Sequence, residues 1–119
     1  MTYFSLMQFS ESLKKNHQFQ FVFRNGKSYA NKYLVMYVKE NGLSGNRIGI
    51  SVSKKVGNSI VRHRVTRLVR ESYRLHESIF NSGLDIVIVA RPSAATVGYC
   101  EVESALLHLG KLHHIVEKD

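Results

Sequence analysis

The chain has 119 residues and a mass of 13.6 kDa, and its 17 Lys and Arg against 9 Asp and Glu give a formal charge of +8. This length predicts one domain, and 44% hydrophobic residues exclude a disordered protein. The single cysteine, Cys100, excludes a disulfide framework and a cysteine-based zinc site. No apolar run reaches the roughly 20 residues of a membrane span, and the first residues lack the basic segment of a secretory signal. We therefore expect a small basic protein of the cytoplasm.

The first predicted element is a helix over about residues 16–26, although its alternating residues also fit a strand. Helical spacing places Phe19, Val22 and Phe23 on one face and leaves Phe21 aside. An asparagine before these residues and a glycine after them are common helix boundaries and favour the helix.

Three further segments have the composition of strands. Residues 33–38 are rich in β-forming side chains, and residues 47–53 alternate between apolar and polar. Because a short loop rich in Asn and Gly joins these two, we predict an antiparallel hairpin. Residues 84–90 form another apolar strand, and a short extra strand is expected at 28–31.

A helix with two different faces is predicted over residues 58–76, with Asn58 or Ser59 as its start. Its apolar arc contains Val61, Val65, Leu68, Val69, Ser72 and Leu75. The opposite arc contains Arg62, His63, Thr66, Arg67, Arg70 and Arg74, with Arg64 at its flank. The pattern predicts a helix that is apolar toward the core and cationic toward solvent.

A last helix is predicted over about residues 99–114, with Val102, Leu106, Leu109 and His113 along one stripe. The expected fold is therefore α+β, one small domain over residues 1–119 with the order α-β-β-β-α-β-α and helices packed on a central mixed sheet. The segment 47–91 is a strand–helix–strand unit whose two strands fit parallel neighbours. We expect residues 1–9 and 115–119 to be flexible.

The positive charge is concentrated in residues 54–74, which contain seven basic side chains and one acid, Glu71. A solvated helix face would need acids to pair with these cations, and only one is available. Lys54, Lys55 and Asn58 surround a glycine turn that leads into a helix N-terminus, an arrangement that attracts phosphate. Arginines about one turn apart suit the backbone of a nucleic acid. The charge pattern predicts a polyanionic partner.

Residues 49–71, GISVSKKVGNSIVRHRVTRLVRE, closely resemble the signature of the protein subunit of bacterial ribonuclease P. The resemblance continues upstream through Leu13-Lys14-Lys15, Phe19, Phe23, Gly26 and Ala30-Asn31, and downstream through residues 85–92. It covers nearly all of the chain and every predicted element in order.

The resemblance implies a ribonucleoprotein whose catalyst is a large RNA, with Mg²⁺ used by that RNA and no cofactor bound by the protein. The protein would bind the catalytic RNA and precursor tRNA and assist removal of the 5′ leader. It implies a fold like that of ribosomal protein S5 domain 2. The strand–helix–strand crossover over residues 47–91 would be left-handed, whereas about 98% of such crossovers are right-handed. The family's RNA-contacting helix motif would fall on Arg62, His63 and Arg64, followed by Arg67 and Arg70. With Lys54, Lys55, Asn58 and Arg74, which the charge pattern singles out, these are the predicted RNA-binding residues. The implied leader-binding cleft contains Phe19, Phe23 and Tyr37, although helical spacing alone favours core packing for both phenylalanines.

Two positions depart from the family pattern. His63 stands where the family's Arg-Asn-Arg motif has Asn, and Thr66 replaces a usual Lys. Histidine keeps a ring nitrogen and a stacking face but loses the amide geometry, and threonine removes one phosphate contact. We interpret these changes as a weakened or altered RNA contact.

No catalytic residue is predicted in the polypeptide. The chain has two aspartates, Asp85 within an apolar strand and Asp119 at the end, so it lacks the clustered carboxylates of a metal-dependent nuclease. Its histidines are isolated or, at His113 and His114, would point apart on a helix. Two alternatives to the ribonuclease P subunit are a structural RNA-binding module such as a ribosomal protein and, less favoured, a self-sufficient nuclease.

Overall fold

The computed structural model describes residues 10–116, which form five strands and three helices. The strands are β1 (Ser10–Ser12), β2 (Lys27–Ala30), β3 (Leu34–Glu40), β4 (Asn46–Ser51) and β5 (Leu84–Ala90). The helices are α1 (Asn16–Asn25), α2 (Ser59–His76) and α3 (Tyr99–Leu112). Two short 3-10 segments, Glu77–Ile79 and Pro92–Thr96, lie before β5 and α3. The predicted order is confirmed from α1 onward, and β1 is an addition.

The five strands form one mixed sheet in the order β1-β4-β5-β3-β2. β4 and β5 are parallel neighbours, as the strand–helix–strand unit predicted. The predicted hairpin between residues 33–38 and 47–53 is wrong, because β5 lies between β3 and β4 and pairs antiparallel with β3. β5 is buried along almost its whole length, so the central position removes more apolar surface from water than an edge would.

The main core lies on one face of the sheet, which we call the helix face. Ile48, Ile86, Ile88, Leu34 and Met36 point to this face, and α2 and α3 cover it. The buried side chains of the two helices include Val65, Val69, Val102, Leu106 and Leu109. The predicted apolar stripes of both helices are thus confirmed in their central turns.

The last turns of α2 differ from the prediction. Leu75 was expected on the apolar arc but is 54% exposed, and Tyr73 is buried instead. The Tyr73 hydroxyl lies 2.7 Å from Ser10 Oγ and accepts a hydrogen bond from Asn46 Nδ2 at 3.3 Å. Because these partners satisfy the hydroxyl, the tyrosine ring can fill the core beside Phe80.

The expected flexible ends fall mostly outside the described residues. Of those ends, the structure describes Ile115 and Val116. Ile115 is buried, its carbonyl accepts a hydrogen bond from Asn81 N–H at 2.7 Å, and Val116 pairs with Phe80 in an isolated bridge. These contacts attach the segment after α3 to the domain.

The other face of the sheet, which we call the cleft face, is crossed by α1. Val22 is fully buried between α1 and the sheet, where it packs with Leu13 and Val87. The alternation along the strands and their register place Tyr37, Val87 and Gly49 in one row across this face. Val35, Val89 and Ser51 form the next row.

Candidate nucleic-acid interface

A cationic turn joins β4 to α2. Lys54 and Lys55 are exposed in this turn, and Asn58 is the N-cap of the helix, with its Oδ1 accepting the N–H of Val61 at 3.0 Å. A Cβ added to Gly57 would lie 2.8 Å from Val61 Cγ1, so this approach of the turn to the helix requires glycine. The predicted residues are therefore brought together where backbone N–H groups and the helix dipole favour an anion.

The outward face of α2 holds the predicted cations. His63, Arg64 and Arg67 are exposed, whereas Arg62, Arg70 and Arg74 are half-buried. Val65 and Val69 are fully buried on the opposite side of the helix, which confirms the predicted division of the two faces. Glu71, the one acid predicted in this region, forms an ion pair with Arg74. The row of cations is thus partly neutralised at the C-terminal end of α2.

Arg62 and Thr66 are linked within α2. The Thr66 hydroxyl donates a hydrogen bond to the Arg62 carbonyl at 2.8 Å, so it is engaged with the helix backbone. The Nε of Arg62 is buried and has no hydrogen-bond acceptor among the described residues. An unsatisfied buried donor costs about 1–3 kcal/mol, which an incoming acceptor would remove.

Arg64 contacts the chain ahead of α3. Its Nη2 donates to the carbonyl of Val97, and its Nη1 is 3.4 Å from the carbonyl of Ala95. Both carbonyls belong to the segment between β5 and α3. The guanidinium that the sequence suggested as a phosphate contact therefore also holds two parts of the protein together, a role that local sequence patterns do not reveal.

The three predicted cleft aromatics lie together on the cleft face. The ring centroids of Phe23 and Tyr37 are 4.9 Å apart with the planes at 71°, and those of Phe19 and Phe23 are 6.5 Å apart. All three rings are half-buried and pack against Leu13, Val22 and Val87. They are thus both core residues and surface residues: one edge of the cluster packs inward and the other faces solvent.

Gly49 lies beneath Phe19 in this cluster. A Cβ at position 49 would lie 2.6 Å from Phe19 Cε2, so the ring rests directly on the strand backbone. Beside this row, Val35, Val89 and Ser51 are half-buried on the cleft face. These three are not among the predicted cleft residues, although their spacing of two residues from Tyr37, Val87 and Gly49 assigns them to the same face.

One buried carboxylate lies beneath the other side of α1. Asp85 is 3% exposed, and its oxygens accept from Arg47 Nε at 2.8 Å and Arg47 Nη2 at 2.7 Å. Asn41 Nδ2 donates to the same carboxylate at 3.0 Å. The hydrogen bond to Asp85 raises the pKa of Arg47, against the opposing effect of burial. The predicted position of Asp85 within an apolar strand is confirmed, and its ion pair explains how the strand accommodates the charge.

Two structural features are absent from residues 10–116. No group of three or more His, Cys, Asp and Glu side chains there is arranged to hold a metal ion. Among the helices of this same part of the chain, none is long and apolar enough to cross a membrane.

Comparisons with known proteins agree with this architecture. A family model described as Ribonuclease P matches residues 7–113. The ribonuclease P protein component of Lachnoclostridium phytofermentans is 68% identical over 107 residues, which cover 90% of this chain and 92% of that protein. The corresponding protein of Alkaliphilus metalliredigens is 54% identical over 103 residues, covering 87% and 93%.

Solved structures of the same kind of protein have this fold. The Staphylococcus aureus RNase P protein aligns with a TM-score of 0.82 at 34% identity, covering 89% of this chain and 97% of that one. The RNase P protein from Thermotoga maritima aligns with a TM-score of 0.79 at 32% identity, covering 91% and 99%. The chain therefore belongs to the ribonuclease P family, as the protein component of a bacterial ribonucleoprotein that processes tRNA.

Proposed function

We propose that the chain binds the catalytic RNA of ribonuclease P through α2 and the turn before it, and that it binds the 5′ leader of precursor tRNA on the cleft face. The RNA removes the leader, using Mg²⁺ that the RNA itself holds. The protein acts in the cytoplasm, binds no cofactor and supplies no catalytic side chain. Its work is to bind and position the two RNAs.

The observation that carries this proposal is that the cluster of Phe19, Phe23 and Tyr37 and the cationic turn are connected by one strand, β4. β4 carries Gly49 and Ser51 on the cleft face and leads directly into Lys54 and Lys55. A strand of unpaired RNA lying along this face would place its bases against the aromatic side chains and its phosphates near the lysines. Aromatic stacking contributes about 1–3 kcal/mol per base with little sequence preference, which suits leaders of varied sequence.

The α2 surface supports a second, larger RNA contact. Arginine suits phosphate because its planar guanidinium presents several donors in a fixed fork. The buried Nε of Arg62 adds a donor that lacks an acceptor within the described residues, and a phosphate oxygen is an acceptor of the right kind. These features favour backbone contacts to a folded RNA over recognition of base sequence.

A reconstitution assay tests the proposal. Purified protein, the ribonuclease P RNA and a precursor tRNA are combined at a low Mg²⁺ concentration, at which the RNA alone is slow. We expect the protein alone to leave the precursor intact, and its addition to the RNA to restore leader removal. Cleavage by protein alone would instead indicate a self-sufficient nuclease, and binding to ribosomal RNA without restored cleavage would indicate a structural RNA-binding module.

A further inference from the structure

A second groove lies on the flank of α1 opposite the aromatic cluster, and we call it the flank groove. Its volume is about 860 Å³, and Phe21, Gln18, Arg24 and Asn25 of α1 line it above the Arg47–Asp85 ion pair. Helical spacing separates the two flanks: Phe19 and Phe23 lie on one side of the buried Val22, and Phe21 on the other. Phe21 is the aromatic residue that the predicted helix face left aside.

The flank groove is separate from the cleft. Val22 is fully buried beneath α1, and the Phe19 ring sits so close to Gly49 that even a Cβ would collide with it. The helix and the sheet therefore leave no room between them at this point. A ligand in the flank groove makes its own contacts and does not extend into the aromatic cluster beneath α1.

The chemistry of the groove fits an unpaired nucleotide. Phe21 is 54% exposed and pairs with no other ring within the described part of the chain, so its face is available for stacking. Arg24 is exposed and forms no ion pair with residues 10–116. The carboxylate of Asp85 is neutralised by Arg47 at 2.7 Å, which leaves the charge of the groove positive.

Two amide side chains add hydrogen-bonding groups for a base edge. Gln18 Oε1 accepts the N–H of Lys15 at 3.1 Å, and this contact leaves its NH₂ group as a donor. Asn25 Nδ2 donates to the Phe21 carbonyl at 2.9 Å, which leaves its Oδ1 as an acceptor. An aromatic face, a cation, a donor and an acceptor are the groups with which proteins hold single-stranded RNA.

We propose that the flank groove binds one unpaired nucleotide of RNA, with its base stacked on Phe21 and its phosphate at Arg24. This inference rests on the proposed RNA-binding function and adds a contact across α1 from the leader cleft. The nucleotide comes either from the catalytic RNA or from the precursor tRNA leader, and the chemistry of recognition is the same for both.

Fluorescence provides a direct test, because the natural chain contains no tryptophan. In the full-length variant Phe21→Trp, the introduced indole is the sole indole reporter. Leu43→Trp is the matched control, since Leu43 is 55% exposed but lies in the loop between β3 and β4, outside both proposed RNA-binding surfaces. Each variant is titrated separately with ribonuclease P RNA, with precursor tRNA and with mature tRNA. We expect emission at position 21 to be quenched by the first or the second RNA and emission at position 43 to stay unchanged.

Affinity measurements on the same RNAs complete the test. We expect Phe21→Ala to weaken binding of the quenching RNA about five-fold or more, Phe21→Tyr to retain it, and Leu43→Ala to leave it unchanged. If the unsubstituted protein binds neither RNA, the proposed function itself is wrong. If the unsubstituted protein binds RNA, but the indole of Phe21→Trp is not quenched and Phe21→Ala binds with unchanged affinity, only the flank-groove inference is overturned. Burial of the indole in RNA-free protein would also overturn it, because the chain itself would then occupy the groove.

Discussion

The Arg64 side chain donates a hydrogen bond from Nη2 to the backbone carbonyl of Val97, which lies 33 residues farther along the chain. The contact joins the first turns of α2 to the residues that precede α3, the helix against which α2 packs. Arg64 lies in the stretch that resembles the family's RNA-binding motif, yet in the protein alone its guanidinium is already engaged by backbone oxygens.

We therefore expect Arg64→Ala to lower the free energy of unfolding by about 1 kcal/mol, because it removes charge-assisted hydrogen bonds to two carbonyls at a surface site. Urea denaturation measures the change, and Arg24→Ala is the control for losing an exposed arginine from a helix. Arg64→Lys should recover only part of the loss, since an ammonium group cannot reproduce the forked contact. Equal stability of Arg64→Ala and the natural protein would show that the contact contributes nothing.

RNA affinity should depend on salt through the cations of α2. Each phosphate contact that is lost reduces the slope of log affinity against log salt by about 0.7–0.9. Replacing Arg62, Arg67 and Arg70 together by Ala should therefore reduce the slope for ribonuclease P RNA by about two. Filter binding over a range of KCl concentrations measures it. Lys111→Ala, which removes a charge from α3, is the control, and an unchanged slope in the triple variant would mean that α2 faces away from the RNA.

The cleft aromatics should distinguish precursor from mature tRNA. Tyr37→Ala removes a ring from the open side of the cluster, so we expect it to weaken binding of leader-bearing tRNA about five-fold or more and of mature tRNA hardly at all. Tyr37→Phe should keep the preference, because the stacking face remains. Tyr33→Ala serves as the control, since that half-buried tyrosine packs against the main core. Equal losses for both tRNAs would make Tyr37 a purely structural residue.

We expect His113 to make the stability of the protein depend on pH. Its ring is half-buried beside Tyr29, with the centroids 4.7 Å apart, and its Nε2 lies 2.9 Å from the Met36 carbonyl. Burial lowers the pKa of His113 below 6.5, Lys27 lowers it further, and the hydrogen bond to Met36 opposes both. The unfolded chain therefore binds a proton at this residue more readily than the folded protein does.

The sign of the pH effect follows from that difference. As the pH falls below 6.5, the unfolded state is protonated first, so stability is lost until the pH has passed below the pKa of the folded state. The loss amounts to about 1.4 kcal/mol for each unit by which the pKa is lowered. Denaturant melts at pH 7.5 and pH 5 should show a smaller decrease for His113→Gln than for the natural protein. Identical decreases would contradict a lowered pKa at His113.

The sequence was sufficient for features that depend on near neighbours. Asn58 was predicted as a start of α2 because capping involves residues three apart, and its side chain does accept the N–H of Val61. The cationic and apolar sides of α2 were predicted for the same reason, since a helix has a fixed period. The apolar composition of residues 84–90 likewise predicted a strand, which the structure confirms.

Features that depend on distant residues could not be predicted from these patterns. The hairpin between β3 and β4 was favoured by a short loop, but local composition does not reveal that β5 takes the place between them. The helical position of Leu75 predicts a core residue, but Tyr73 is buried in its place. The groups that satisfy the Tyr73 hydroxyl come from β1 and β4, which are distant in the sequence. The partner of Arg64 and the opening of the flank groove beside Phe21 likewise depend on how separate elements meet.

The central position of β5 has a consequence for synthesis of the chain. β4 pairs with β1 and β5, and β3 pairs with β2 and β5, so the two halves of the sheet share only this late strand. Because residues are added one at a time, at about 5–20 per second, α2 is synthesised before the strand that completes its sheet. A nascent chain that has not yet reached residue 84 has an unpaired strand edge on each half of the sheet. The complete sheet can form only after residue 90 has left the ribosome.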